Sequence, residues 1–278
     1  MYNDSVQGKR INVGGDHSMT IATGAYSLNK YSNTKFIWID AHADINTLES
    51  SETGNFHGMP LSFLTGITRT NMFYFMKNKL PFENILYIGV RSIDPFEKQI
   101  IKLHDIPVIR SQMCNLNLHA VSEYIQKFCN NSPVHVSFDV DAVDPHYMPC
   151  TGTTVKRGLK RSTASLLLKY INENTDVINM DFCELNLDIG NEYQKKISLF
   201  EKMENEKQNF LIYLQRLEQL YPQYKSNPTE ENLNTDNTSQ TDSDKRFSKL
   251  YMLKNKLLNS SDSLANDMFM KDEYINNA

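Results

Sequence analysis

Strands that run out into acidic residues constrain this chain more than any other feature. Four short runs rich in β-branched and aromatic residues occupy 36–39, 85–90, 134–140 and 177–182, and three of them end in FIWID, SFDVD and NMDFCE. Between them lie stretches of helical spacing, such as 116–128 and 162–172. Strands alternating with helices predict an α/β fold, with a parallel sheet covered on both faces. In open parallel sheets ligands bind beyond the carboxyl ends of the strands, so these acids are candidates for one shared site. A single Asp at such a place more often starts a turn or caps a helix, so the acids carry weight only as a group.

Composition narrows the classes. A hydrophobic share of 40% with 22% charged residues supports a buried core. Twenty-nine basic against 33 acidic residues give a net charge of −4, which excludes a generally basic nucleic-acid or anionic-membrane binder. Cys114, Cys129, Cys150 and Cys183 lie far apart with no CxxC pair. That spacing speaks against a zinc ribbon or a disulfide scaffold and suits a reducing compartment. MYNDSVQGKR has no apolar core of a signal peptide, and no run of 18 apolar residues occurs. A cytoplasmic protein without nucleic-acid or membrane partners is expected.

The character changes near residue 190. Apolar residues recur at helical spacing through 193–220, whereas 225–245 is almost free of them and reads as a disordered linker. The expected division is a principal domain over 1–195, an appended helix over 196–224, a linker over 225–246, and a short helix and tail over 247–278.

Three segments carry the chemistry. In VGGDHS (13–18) paired glycines allow a sharp turn after a short strand and place His17 at the start of the next helix. In IDAHAD (39–44) Asp40, His42 and Asp44 alternate, so in an extended segment they would share a face. Such oxygen and imidazole donors suit a borderline-hard divalent metal such as Mn2+. In SFDVDAVDP (137–145) Asp139 and Asp141 alternate at the end of an almost wholly apolar strand. Two carboxylates there repel each other and are costly to desolvate unless a cation lies between them. Asp144 with Pro145 belongs to the following turn. The six candidate ligands are therefore His17, Asp40, His42, Asp44, Asp139 and Asp141. With four carboxylates able to bridge, they suggest two metals and a hydrolase that makes a nucleophile of water.

These segments resemble the signature motifs of the ureohydrolase (arginase/agmatinase/formiminoglutamase) family, and the longer run DAHADINT…TGNFHG is most similar to its arginase branch. The resemblance covers about residues 11–190. It implies a three-layer parallel-sheet fold of the arginase/deacetylase kind, a Mn2+ pair, and hydrolysis of L-arginine to L-ornithine and urea. It also implies that strands preceding VGGDHS in the family are missing here, leaving the sheet edge beside RINV uncovered. By motif, Asp40, His17, Asp44 and Asp139 would hold one ion, and His42 and Asp141 the other, with Asp40 and Asp139 bridging. Asp44 would also orient the nucleophile, His57 would move a proton, and Glu184 would receive the guanidinium. Asn46, Thr53 and Asn55 match contacts to the substrate α-carboxylate, Asp94 and Glu97 match contacts to the α-amino group, and Thr153 lines the pocket. Thr53 stands where arginases often have serine, and Ser92 replaces a common acid. Related proteins form trimers, so a homo-oligomer is implied without support from the tail.

Other residues read as ordinary. His135 and Trp38 are expected in the core, and His104, His119 and His146 at surfaces or in loops. Two further readings stay open: another ureohydrolase such as an agmatinase, and a ureohydrolase-fold protein that binds a partner without turnover.

Overall fold

The structure, a computed structural model, describes residues 8–195 together with Ile197 and Ser198. The first of the chain's two units, Met1–Asn205, holds all of them. The appended helix, the linker and the terminal helix expected beyond residue 195 otherwise lie outside the described residues. None of the described helices is long and apolar enough to cross a membrane.

Six strands form one parallel sheet: β1 (Arg10–Val13), β2 (Lys35–Ile39), β3 (Ile85–Ile88), β4 (Val108–Ile109), β5 (Pro133–Asp139) and β6 (Asp176–Cys183). Their spatial order is β1-β6-β5-β2-β3-β4. The central strands fall where the apolar runs predicted them, whereas β4 is too short to announce itself in the sequence. β2 leads outward to β3, while its other neighbour, β5, leads away to β6. A crevice therefore opens between the carboxyl ends of β2 and β5, where chain direction diverges.

Helices cover both faces. Ile37, Ile39, Leu86, Val134, Val136, Phe138, Met180 and Phe182 pack on one face with α5 (Leu118–Cys129) and α6 (Arg161–Asn174), and Cys114 of α4 (Ser111–Leu116) joins them. Phe36, Trp38, Ile85 and Tyr87 face the other way, toward α1 (Thr20–Lys30) and α2 (Pro60–Thr65). Ile100 and Ile101 of α3 (Pro95–Leu103) pack against that second core. The three-layer expectation is met, and β2 and β3 send alternate side chains to opposite cores.

One strand departs from its description as almost wholly apolar. In β5, Val134, Val136 and Phe138 enter the apolar core, but His135, Ser137 and Asp139 face α1. β6 does the same beyond an irregularity near Val134/His135, presenting Asn179 and Asp181. A buried polar layer results. Asp181 accepts from Thr20 Oγ1 (2.9 Å), Thr23 Oγ1, Asn12 Nδ2 (2.6 Å) and His135 Nε2 (3.0 Å). The other His135 nitrogen meets Ser27 Oγ at 2.8 Å. His135 is thus a core histidine, as expected.

Burial alone would push Asp181 up, but attraction to His135 and the hydrogen bonds it accepts hold its carboxyl below the usual range. Its stabilising contribution is complete above the ordinary carboxylate pKa and is lost as pH falls through the lowered folded value. Asp181→Asn should therefore destabilise the folded chain at neutral pH, by on the order of 3 kcal/mol. Denaturant unfolding of both proteins should show this gap closing in acid. A gap independent of pH would mean that the carboxylate charge contributes nothing.

Candidate metal centre

The first ligand comes from a turn after β1. Gly14 donates its amide to Phe182 O at 2.9 Å, and a Cβ on Gly14 would collide with the Met19 side chain. A side chain at this position would require the end of the Met19 side chain to move. A 3-10 turn, His17–Met19, then aims His17 across the ends of β5 and β2 before α1 begins.

The second group sits beyond β2. The chain is not extended there, so the expected sharing of one strand face does not hold. β2 ends at Ile39, and Asp44 adopts φ 50, a left-handed backbone that L side chains disfavour. The ligands converge by looping back. His42 N donates to Asp40 Oδ1 at 2.7 Å, and Ala41 N donates to Asp141 Oδ1 at 3.0 Å. Similarly, Asp139 is the last residue of β5, whereas Asp141 lies in a 3-10 turn (Val140–Ala142) that opens with Asp141 N donating to Asp139 Oδ1 at 2.8 Å.

All six predicted ligands meet. His17 Nδ1 lies 3.0 Å from Asp40 Oδ2, 3.0 Å from Asp44 Oδ2 and 3.3 Å from Asp139 Oδ2. His42 Nδ1 lies 2.9 Å from Asp141 Oδ2 and 3.5 Å from Asp40 Oδ1. Asp40 thus turns one oxygen to each histidine. His17 is 1% exposed, yet its Nδ1 has no hydrogen-bond partner of acceptable geometry. A buried imidazole nitrogen ringed by carboxylate oxygens, none properly aligned to it, is a donor set aimed at a shared point.

The electrostatics agree. Burial, with the charge of Asp40, pushes Asp44 up to about 8, and burial with neighbouring carboxylates raises Asp139 and Asp141. Burial would raise Asp40 too, but its contacts with His17 and His42 outweigh that and hold it well below the usual range. Burial opposes the charged form of His42, yet Asp141 and Asp40 bring it up to about 11. Four carboxylates here cannot all stay ionised beside two neutral imidazoles, and divalent cations would supply the missing positive charge. The hard oxygen and imidazole donors fit such ions.

Several residues that sequence reasoning passed over hold this arrangement. Trp38, expected only as core, stacks on His17 with ring centroids 4.1 Å apart and donates Nε1–H to Asp40 Oδ2 at 3.0 Å. Ser137 Oγ meets His17 Nε2 at 2.7 Å. Arg91 ties the 140s to the 150s, donating from Nη2 to Asp141 O at 2.9 Å and Val155 O at 2.6 Å. The period-two alternation of VHVSFD and of FIWID was the available signal for Ser137 and Trp38; nothing local marks Arg91.

Around the mouth, Glu184 has φ 67 and its Oε1 accepts from His17 N at 2.7 Å. His57 Nδ1 stands 3.5 Å from the same oxygen, and its contact with Glu184 raises the histidine's pKa. Thr53 and Asn55 are exposed beside it, and Thr153 Oγ1 lies 3.4 Å from Asp141 Oδ2. Asn46 donates to Asp94 Oδ2 at 2.8 Å and accepts from Ser50 Oγ at 3.0 Å. Glu97 stands apart from its expected head-group contact. It is buried, and its oxygens accept from Ile45 N (3.1 Å) and Asp94 N (2.9 Å), closing a capping box on α3. Asp144 makes a turn as expected, accepting from the amides of His146, Arg157 and Gly158.

Comparison with known proteins agrees with this geometry. A sequence profile of the arginase family matches residues 5–199. The arginase of Plasmodium berghei is 37% identical over 194 residues, covering 63% of this chain and 52% of that protein. The arginase of Saccharomyces cerevisiae is 37% identical over 193 residues, covering 65% and 57%. The chain spans about half the length of the curated relatives it matches. Among solved structures, Entamoeba histolytica arginase in complex with L-ornithine superposes with a TM-score of 0.66 at 30% identity, covering 71% of this chain and 69% of that one. Bacillus subtilis arginase gives 0.63 at 32% identity, covering 69% and 71%.

Divalent metal should raise the melting temperature of the full chain, by mass action on the native state. Binding should strengthen as pH rises, because the proton that burial favours on Asp44 must leave first. Asp139→Asn should lower bound metal far more than Asp144→Asn. Metal analysis and thermal unfolding test this. A wild-type chain that binds no divalent metal at saturation would end the reading.

Proposed function

The chain belongs to the arginase family, and on that premise we propose that it hydrolyses the guanidinium group of L-arginine, giving L-ornithine and urea, at a pair of Mn2+ ions. The observation that carries this reading is Asp40, one carboxylate shared between two histidine-centred ligand groups at the sheet's crevice. One group is Asp40 with His17, Asp44 and Asp139; the other is Asp40 with His42 and Asp141. Such ions, when bound, supply Lewis acidity and a nucleophile from water near neutral pH.

The chain's own residues do the rest. A guanidinium stays protonated in a protein, so the Glu184 carboxylate can receive it through two charge-assisted hydrogen bonds. Glu184 is held for that task, because its amide donates to Gly15 O at 2.8 Å and its left-handed backbone turns the side chain over His17. This pairing fixes where the guanidinium carbon sits relative to the ligand cluster, and orientation of that kind accounts for much of catalysis. Breaking the carbon–nitrogen bond needs a proton on the departing amine. His57, part-exposed and keeping its proton to higher pH beside Glu184, is placed to give it.

At the other end, Thr53 and Asn55 would donate to the α-carboxylate, and Asp94 would accept from the α-amino group. Asn46 and Glu97 would fix Asp94, and Thr153 would line the pocket. The L-ornithine bound to the Entamoeba enzyme has the same head group.

Two measurements test the reading. Glu184→Gln should keep its metals and lose most turnover, because a neutral amide cannot form the charge-assisted pair; turnover like wild type would remove Glu184 from the site. L-arginine should be preferred to agmatine, which lacks the α-carboxylate and would leave polar groups unpaired at about 1–3 kcal/mol each. Thr53→Ala with Asn55→Ala should narrow that gap in kcat/KM, mainly by harming arginine. Equal values for both substrates in the wild type would overturn the choice of arginine.

A further inference from the structure

We propose that Cys183 is an additional ligand of this centre, so that one corner of it takes a thiophilic divalent cation such as Co2+ or Zn2+ through sulfur. This rests on the reading of the cluster as a metal centre and goes beyond its nitrogen and oxygen ligands.

Cys183 is the last residue of β6 and pairs in register with Asp139, the last of β5. With side chains alternating along each strand, Asp139 follows His135 and Ser137, and Cys183 follows Asn179 and Asp181, on the polar face toward α1. The sulfur therefore comes to the ligand cluster by the same strand geometry that brings Asp139. Ligand atoms of His17, Asp139 and Cys183 all lie within 4.8 Å of one another, close enough to share one ion. His17, which is buried and whose Nδ1 lacks a hydrogen-bond partner, belongs to this group, so an unpartnered donor of the same residue points to a ligand in the cluster. The thiol's own bond is weak, a 3.5 Å contact from Sγ to Phe138 O. Two of the other cysteines differ, since Cys114 and Cys129 pack in the apolar core among Ile37, Val121 and Ile125.

Cys183 would add a thiolate to the imidazole and carboxylate donors of this corner, and thiolate favours Zn2+ and Co2+ over Mn2+. On binding, the metal–sulfur bond replaces the S–H bond and the proton leaves to solvent. No electrons are transferred. The corner beside Cys183 would then accept Co2+ or Zn2+ in place of Mn2+, whereas the group of Asp40, His42 and Asp141 offers nitrogen and oxygen donors alone.

Co2+ is the probe, titrated anaerobically into the reduced full chain. The wild type should show visible d–d bands from bound cobalt together with a near-ultraviolet sulfur-to-cobalt charge-transfer band. Cys183→Ala, and the closer-sized Cys183→Ser, should keep the d–d bands and lose the charge-transfer band. X-ray absorption of the wild type alone gives a second reading, a cobalt–sulfur distance near ~2.3 Å. Bound cobalt with neither the charge-transfer band nor sulfur scattering would overturn the proposal, as would a band that survives both substitutions. A chain that binds no cobalt, zinc or manganese would instead overturn the metal centre itself, and this proposal with it.

Discussion

Four carboxylates gathered in one buried cluster are the constraint on which the rest of this structure depends. Asp40, Asp44, Asp139 and Asp141 are all buried, and each pays desolvation as well as mutual repulsion. Around them the fold spends its polar contacts on keeping the oxygens aimed. Backbone amides of Ala41, His42 and Asp141 each fix one oxygen, Trp38 fixes another, and Arg91 braces the loop behind Asp141. Pre-positioned ligands of this kind lose little freedom when an ion arrives, and outer partners hold the donor geometry.

That arrangement needs the particular sheet order. β2 and β5 are neighbours although 93 residues separate the end of one from the start of the other, and β6 is inserted between β5 and β1. This order sets the ends of β1, β6, β5 and β2 side by side. Beneath the site, the layer built on Asp181 and His135 anchors α1 to β5 and β6, and Ser137 links it to His17. The site's rigidity thus continues into the core. The two non-glycine residues with left-handed backbone at the site, Asp44 and Glu184, also fit this picture. Strain of that kind persists where the surroundings over-determine a conformation.

Much of this was legible in the sequence. Alternating strands and helices identified the layered parallel sheet, and the three motifs contained all six side chains that cluster at the strand ends. The local conformation of 40–44 was not legible, because alternation suggests an extended strand, whereas the bonds that Ala41 N and His42 N donate to the Asp141 and Asp40 carboxylates curl the segment. Glu97 misled for a related reason. Its spacing from Asp94 suits both a substrate-facing acid and a capping box, and only the burial of the helix start decides between them. Ser137 and Asp181 were hidden in plain alternation, and so were the polar partners of His135, since one polar residue among valines reads as an isolated exception until the facing strand is known. Arg91 works through carbonyl oxygens, all but that of Gly89 remote in sequence, which no local pattern encodes.

The placement of Trp38 has an optical consequence. It is the sole tryptophan of the chain, and its indole lies flat against His17 with its nitrogen bonded to Asp40. Intrinsic tryptophan emission from this protein therefore comes from a single fluorophore in direct contact with His17 and Asp40, two members of the cluster. A paramagnetic ion entering that corner would quench it at near-contact range, and a rearranged carboxylate would shift its colour. The molecule carries a label-free probe of its own site, set at the place where an engineered one would be hardest to introduce.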